Sequence, residues 1–375
     1  MGKNNSLVRC VTLDRPELSN NTADAQRLKQ ALEAELGTGE VSLPLSILAT
    51  LPEKLRRWNH RVKCVVFKQG AGWSVAAVKD PEKNDLFCGI AADIGTTRVV
   101  LRLVDLETKE TLDETAFDNP QADIAPDVLA RIHHAGQEGW QGLKQLQSLV
   151  VSAVNQGIQL LCRSRSIEPA DVYLFSGAGN TAMTHLFLGV DPCYIIREPY
   201  IPAVNSVEPF DASEIGLLIN PQGRGFLFPS IGSYFGGDLV AGIYYSGIHQ
   251  RENPSIMVDV GTNAEVVVGN CDWLMACAGA AGPALEGGVS DMGMTAKPGV
   301  IDRVSIDPLT GELAIHTIGE KPPVGVCGSG MMDLGAALFL SGRIDIRGKF
   351  SKEKCQSRLF TSSGVEHFLL VDRSH

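Results

Sequence analysis

Two phrases of matching chemistry recur in the two halves of the chain: Ile90-Ala-Ala-Asp93-Ile-Gly95-Thr96-Thr97 and Met257-Val258-Asp259-Val-Gly261-Thr262-Asn263. At average residue usage the pattern D-x-G-T is expected roughly 0.1 times in a chain of this length, so a pair marks an internal repeat. Each copy ends one apolar strand and precedes another, Val99–Val104 in the first case and Glu265–Val268 in the second. Glycine in such a turn lets the backbone approach a phosphate, the amides after it meet the oxygens, and the threonine hydroxyl adds a donor. The aspartate at the strand end suits magnesium held through water, because that small hard cation keeps much of its hydration shell. Two copies facing each other would grip a triphosphate from both sides. The plainer reading is a pair of glycine turns in which Asp and Thr act as turn formers.

Between the copies lies Gly236-Gly237-Asp238-Leu-Val-Ala-Gly242. An acid at a helix start after two glycines can stand beside a γ-phosphate, to orient attacking water or bind metal. It can equally be an ordinary helix cap. Gly177-Ala-Gly179-Asn180, at a strand end, is a further candidate phosphate or nucleotide contact. Gly325-Val-Cys327-Gly328-Ser329-Gly330 opens a helix near Met331, either to bind an anion at its N-terminus or as a flexible cap.

The elements that must carry these loops are legible in outline. Strands alternate with helices from Leu86 onward, which argues an α/β core. Helices are expected at 127–134 and 142–162, the latter with Leu143, Leu146, Val150, Val154, Ile158 and Leu161 at helical spacing. A strand over 172–176 leads into a helix from Thr181. Residues 1–85 read as a small separate unit. In it a helix capped by Thr22 ends at Gly37, a helical stretch over 45–58 is interrupted at Pro52, and 61–67 pairs with 73–79 as a hairpin. The expected division is 1–85, 86–250 and 251–375.

Composition narrows the function classes. The 375 residues carry 43 acidic and 33 basic side chains, a net charge of −10, with 44% hydrophobic residues. Such a chain folds, in two or three domains, and repels nucleic-acid backbones and anionic membranes in the absence of a basic patch. Nine cysteines without a C-x-x-C pair read as reduced, buried thiols. No apolar run approaches the ~18 residues of a membrane span, and no signal peptide opens the chain, so a cytoplasmic location is expected. His133 and His134 adjoin on a helix and point in different directions, and Trp58, Trp73, Trp140 and Trp273 are expected to pack.

The two D-x-G-T hairpins with Gly-Gly-Asp between them resemble the superfamily of acetate and sugar kinases, heat-shock chaperones and actin. Longer phrases narrow the resemblance: Asn119-Pro-Gln121, Asp127-Val-Leu-Ala-Arg-Ile132, Gly179-Asn-Thr-Ala-Met-Thr-His185, Pro199-Tyr-Ile-Pro202, Gly236 to Gly242, Asp259 to Glu265, Ala280-Ala-Gly-Pro-Ala-Leu-Glu286 and Cys327-Gly-Ser-Gly330. Over residues 86–350 they look like the ATP-dependent reductive activators of corrinoid proteins. The resemblance implies two ribonuclease H-like lobes of the actin-like ATPase fold, the second incomplete, after a small α+β N-terminal domain. It implies ATP and Mg2+ as ligands, with Asp93, Gly95, Thr96 and Thr97 in one phosphate loop and Asp259, Gly261, Thr262 and Asn263 in the other. Asp93 and Asp259 would be the metal-side acids, Asp238 the acid near the γ-phosphate and Glu265 a helper. Gly179, Asn180, Gly236, Gly237, Gly328, Ser329 and Gly330 would be further nucleotide contacts. The implied partners are a corrinoid protein of a methyltransferase system and an external low-potential electron donor; a homodimer is left open. No iron–sulfur cluster is visible, since residues 1–85 offer only Cys10 and Cys64. The family pattern also runs on beyond 368–371, so a fragment or a degenerate relative is expected. The alternatives are a small-molecule kinase on the same fold, with Asp238 as base, and a non-catalytic nucleotide-binding relative.

Overall fold

A computed structural model describes residues 6–37, 39–261, 263–280, 292–307, 310–355, 358–362 and 364–371. The chain divides into two compact units, Met1–Gln250 and Arg251–His375. Ala281–Glu286 of the resemblance lies outside the described residues, as does Thr262.

The first unit opens with a four-stranded sheet in the order β1-β3-β4-β2, formed by Val8–Thr12, Arg61–Gln69, Gly72–Lys79 and Val41–Ser42. Helix α1, Asp24–Leu36, lays the fully buried Leu28 and Leu32 on it. The expected Thr22 cap is absent, because the Thr22 hydroxyl donates instead to Asn20 Oδ1 at 2.9 Å; the cap position falls to Ala23. Gly37 does end the helix, at a φ of 65° in the left-handed region. The stretch expected to break at Pro52 divides earlier, into α2 (Leu45–Leu48) and α3 (Leu51–Arg57). Pro52 sits in the first turn of α3, where a missing N–H costs nothing.

This sheet packs directly on the rest of the unit. Val8, Val65 and Phe67 share an apolar cluster with Phe87 and Tyr173, and Lys63 Nζ reaches Glu107 Oε2 at 3.2 Å.

The second sheet runs β7-β6-β5-β8-β10-β9, formed by Thr111–Asp118, Arg98–Asp105, Cys88–Ile94, Val172–Ala178, Arg224–Leu227 and Phe210–Asp211. Strands β5 to β7 form an antiparallel meander, and β5, β8 and β10 run parallel. Helices α4 (Val128–Gln137), α5 (Gly139–Ser164), α6 (Thr181–Leu188) and α7 (Gly237–Ser246) complete it. Along α5, Leu146, Val150, Val154 and Ile158 form one apolar stripe, fully buried in the same core as Ile90, Leu101 and Leu103. Gly157 sets how close that helix can lie: a Cβ there would stand 2.6 Å from a Leu101 methyl. A meander extended by parallel strands across helices is the ribonuclease H-like lobe expected of an actin-like ATPase.

The second unit repeats the meander with β11 (Ser255–Val260), β12 (Asn263–Gly269) and β13 (Leu274–Ala280). The unit also holds a second sheet of β14 (Val300–Ile306), β15 (Leu313–Thr317) and β16 (Gly325–Val326), on which α8 (Gly328–Leu340) packs against β14, and the hairpin β17–β18 (Leu359–Ser362, Val365–Phe368). Among the described residues no parallel strand extends this second meander. Both meanders are antiparallel, but the registers differ: Asp93 lies opposite Val100 and Ile90 opposite Leu103 in one, Asp259 opposite Glu265 and Ile256 opposite Val268 in the other. Their burial differs sharply: Ile90, Ala92 and Ile94 are at most 6% exposed, whereas Ile256, Val258 and Val260 are 66%, 52% and 74% exposed.

All nine cysteines are free, but three of them depart from the expected burial. Cys10 lies on the outward face of β1, Cys271 in the turn before β13 and Cys277 on the open second meander. Trp140 and Trp273 are likewise exposed, while Trp58 and Trp73 pack on the N-terminal core. Truncating the α5 stripe tests this account of the first lobe. Ile158→Ala should lower stability by about 2–5 kcal/mol, read as a shifted urea midpoint with an unchanged slope.

Candidate functional site

Three neighbouring parallel strands, β5, β8 and β10, deliver three glycine-bearing loops to the same carboxyl edge of the sheet. Crevices at that edge are where open α/β sheets bind ligands. Asp93 lies at the end of β5 and the loop after it holds Gly95, Thr96 and Thr97, that after β8 holds Gly179 and Asn180, and that after β10 leads to Gly236, Gly237 and Asp238. The loops touch one another. Asn180 Nδ2 donates to Thr96 Oγ1 at 3.0 Å, and the Asp238 amide donates to the Gly179 carbonyl at 3.3 Å. The sequence-predicted residues of the first unit are therefore brought together.

The glycines are required by these approaches. A Cβ on Gly95 would overlap the Arg98 carbonyl oxygen, one on Gly179 would stand 2.7 Å from the Ile94 carbonyl oxygen, and one on Gly236 would overlap Asn180 Cα. Asn180 has a second task, since its Oδ1 caps α6 by accepting from the Met183 amide at 2.9 Å. Asp238 lies in the first turn of α7, where its carboxylate favours the helix dipole; its Oδ1 accepts from the Leu239 amide at 2.8 Å. No side chain caps the start of α7.

Three buried residues behind the first loop orient it. Asn119 Nδ2 donates to the Gly95 carbonyl at 2.9 Å, and Arg131 Nη2 donates to the Thr96 carbonyl at 2.8 Å. In a trans peptide the C=O and the following N–H point oppositely. Pinning those two carbonyls inward therefore turns the Thr96 and Thr97 amides outward. Gln121 supports Arg131 by accepting from its Nη1 at 3.1 Å while donating to the Leu146 carbonyl at 2.9 Å. Burial lowers the Arg131 guanidinium to about 10, still charged at neutral pH. The reading of residue chemistry passed over these three, because their partners are carbonyls that no sequence pattern exposes. Asn119-Pro-Gln121 and the segment Asp127 to Ile132 were visible only as phrases of the resemblance.

His185, on α6, is fully buried and joins this layer to the segment that carries Pro199 to Pro202. Its Nδ1 pairs with the Thr181 carbonyl at 2.7 Å, and its Nε2 accepts from the Val204 amide at 3.4 Å. One donor and one acceptor nitrogen is the neutral ring, and burial holds its pKa below the ordinary 6.5. Thr181 Oγ1 in turn donates to the Gly232 carbonyl at 2.9 Å, steadying the approach to Gly236.

In the second unit Asp259 faces Glu265 across the β11–β12 ladder, and Asp259 and Gly261 are exposed. Thr262 lies outside the described residues, as does the Asn263 side chain. Gly330 has a packing reason: its Cβ would overlap the Ile301 carbonyl oxygen where α8 meets β14. Ser329 Oγ pairs with Cys327 Sγ at 3.1 Å.

The three glycine positions let the loops close on one another, since a Cβ there would meet the Arg98 carbonyl oxygen, the Ile94 carbonyl oxygen or Asn180 Cα. Among the described residues no group of three His, Cys, Asp or Glu could hold a metal. Among the described residues no helix is long and apolar enough to cross a membrane.

Three family profiles match the chain in succession: the RACo linker region over residues 6–85, the RACo middle region over 88–251, and the C-terminal domain of RACo, its ASKHA domain, over 253–375. Fold and profiles together define the actin-like ATPase class. Within that class the chain belongs to the RACo family. It is 35% identical over 271 residues to the corrinoid activation enzyme RamQ of Eubacterium limosum, covering 72% of this chain and 45% of that one. It is 26% identical over 313 residues to the Co(II) methylated amine-specific corrinoid protein reductase of Methanosarcina barkeri, covering 55% of it. A solved reductive activator for corrinoid, iron-sulfur protein is 36% identical, with a TM-score of 0.75 over 98% of this chain and 59% of that one. The chain spans about half the length of the curated relatives it matches.

Two outcomes follow from the site. Asn180→Ala, which loses both the cap and the Thr96 contact, should cost about 0.5–2 kcal/mol by chemical denaturation; Asn180→Asp, which keeps a capping oxygen, should cost less. The depressed His185 and His60 make stability fall as pH drops below 6.5 toward their lower folded values, because the unfolded chain then binds more protons. His185→Gln should flatten that slope in midpoints measured from pH 7 to 5, leaving the His60 share.

Proposed function

We propose that this chain is the nucleotide-binding part of an ATP-dependent reductive activator of a corrinoid protein. ATP and water would give ADP, phosphate and a proton, while one electron from an external low-potential donor converts Co(II) to Co(I) on the partner. The observation that supports it most is the meeting of the Thr96, Asn180 and Gly236 loops at the carboxyl edge of three parallel strands, in a chain of this family.

In this reading the Thr96 and Thr97 amides and the Thr96 hydroxyl receive phosphate oxygens, and Gly179, Asn180, Gly236 and Gly237 let the backbone close on them. Asp238 orients the attacking water and takes its proton. Asp93 would hold magnesium. Magnesium, when bound, neutralises charge on the phosphate oxygens. Asp259, Gly261, Thr262, Asn263 and Glu265 are assigned to the nucleotide by the internal repeat, and Gly328, Ser329 and Gly330 by the resemblance. The domain division proposed with it is 1–85, 86–250 and 251–375. Binding energy at the nucleotide would be spent on changing the fit to the corrinoid partner, and so the ligation and potential of its cobalt.

Mg-ATP hydrolysis by this chain, with and without a Co(II) corrinoid protein, tests the proposal while absorbance follows Co(I) in the presence of an artificial low-potential reductant. The expected result is corrinoid-stimulated hydrolysis and Co(I) only when ATP is present. Turnover that needs an added metabolite and no protein partner would favour a kinase instead. Asp238→Asn should cut hydrolysis by roughly a hundredfold or more while nucleotide binding persists.

A further inference from the structure

Arg131 is fully buried, yet every acceptor the structure records for it is neutral. Nε donates to the Ala125 carbonyl at 3.0 Å, Nη1 to Gln121 Oε1 at 3.1 Å and Met183 Sδ at 3.2 Å, and Nη2 to the Thr96 carbonyl at 2.8 Å. Among the described residues it forms no ion pair; the acid that acts on it, at longer range, is Asp127 at the α4 cap. A buried charge without a partner is costly, and a neutral donor could hold a carbonyl at less expense. The charge thus has no direct counterion among the described side chains, Asp127 acting only at longer range, and the Thr96 peptide that Arg131 holds leads directly to the proposed phosphate loop.

We propose that Arg131 is a positioning residue whose counterion is the bound polyphosphate itself. It turns the Thr96 carbonyl inward so that the Thr97 amide faces the ligand, and its charge adds to the field that draws the phosphates in. This rests on the phosphate-binding reading of the first loop and assigns that loop a buried electrostatic determinant. Gln121 fixes the guanidinium and, being uncharged, leaves the charge for the ligand.

The test supplies a competing counterion. Gln121→Glu puts a carboxylate where Gln121 Oε1 accepts from Arg131, keeping the guanidinium beside Thr96. Binding of Mg-ATP and of sodium tripolyphosphate to the full chain is measured by calorimetry, alongside the rise in melting temperature that each ligand gives. Affinity for both should fall about tenfold or more, with the ligand-induced rise shrinking and the unliganded melt remaining cooperative. Gln121→Met, which removes the same hydrogen bonds without adding charge, loosens the guanidinium and should lower both affinities by several-fold less than Gln121→Glu does. A purely structural role for Arg131 predicts no such split. Should Gln121→Glu fail to fold, Arg131→Lys against Arg131→Met decides: the lysine should retain most of the tripolyphosphate affinity that the methionine loses. Wild-type binding left unchanged by Gln121→Glu, or equal losses in Arg131→Lys and Arg131→Met, overturns the inference alone. Wild-type protein that binds neither ligand overturns the phosphate reading, and this with it.

Discussion

The site rests on two carbonyl oxygens being turned inward. With Gly95 and Thr96 pinned by Asn119 and Arg131, peptide planarity leaves the next two amides no choice of direction. The loop is thus organised before any ligand arrives. What surrounds it serves that constraint: Gln121 ties Arg131 to α5 through the Leu146 carbonyl, and α5 is itself fixed by its apolar stripe. A core helix, a buried polar layer and a surface loop form one mechanical stack. Preorganisation of this kind removes ordering costs from binding.

The remaining loops are secured by residues that each make two hydrogen bonds through different atoms. Asn180 caps α6 with its oxygen and holds Thr96 with its nitrogen. Thr181 feeds His185 through its carbonyl and Gly232 through its hydroxyl. Such economy couples the loops, so a displacement at one is felt at the next without any long chain of contacts.

Periodicity and motif made much of this legible. The α5 stripe, the two hairpins and the loops at Gly179 and Gly236 follow from local pattern, because one face of a helix or one turn is a short-range matter. What was hidden is long-range and polar. Arg131 reads as one more basic helix residue until the fold buries it under Thr96, and Thr22 reads as a cap until Asn20 takes its hydroxyl. The exposure of Cys277, Trp140 and Trp273 was misjudged for the same reason: composition says which side chains prefer burial, and only topology says whether a neighbour arrives to cover them.

The second meander shows what that absence of cover entails. Ile256, Val258 and Val260 face water at the positions whose first-unit counterparts lie in a core with α5. A run of β-branched side chains on one open sheet face is a wetting problem, and it governs how this chain handles as a material. Because apolar hydration weakens its push on cooling, adhesion through this face loosens in the cold and tightens on warming. Temperature and mild surfactant then act on this face, while salt acts separately by screening the net charge of −10 that keeps copies apart.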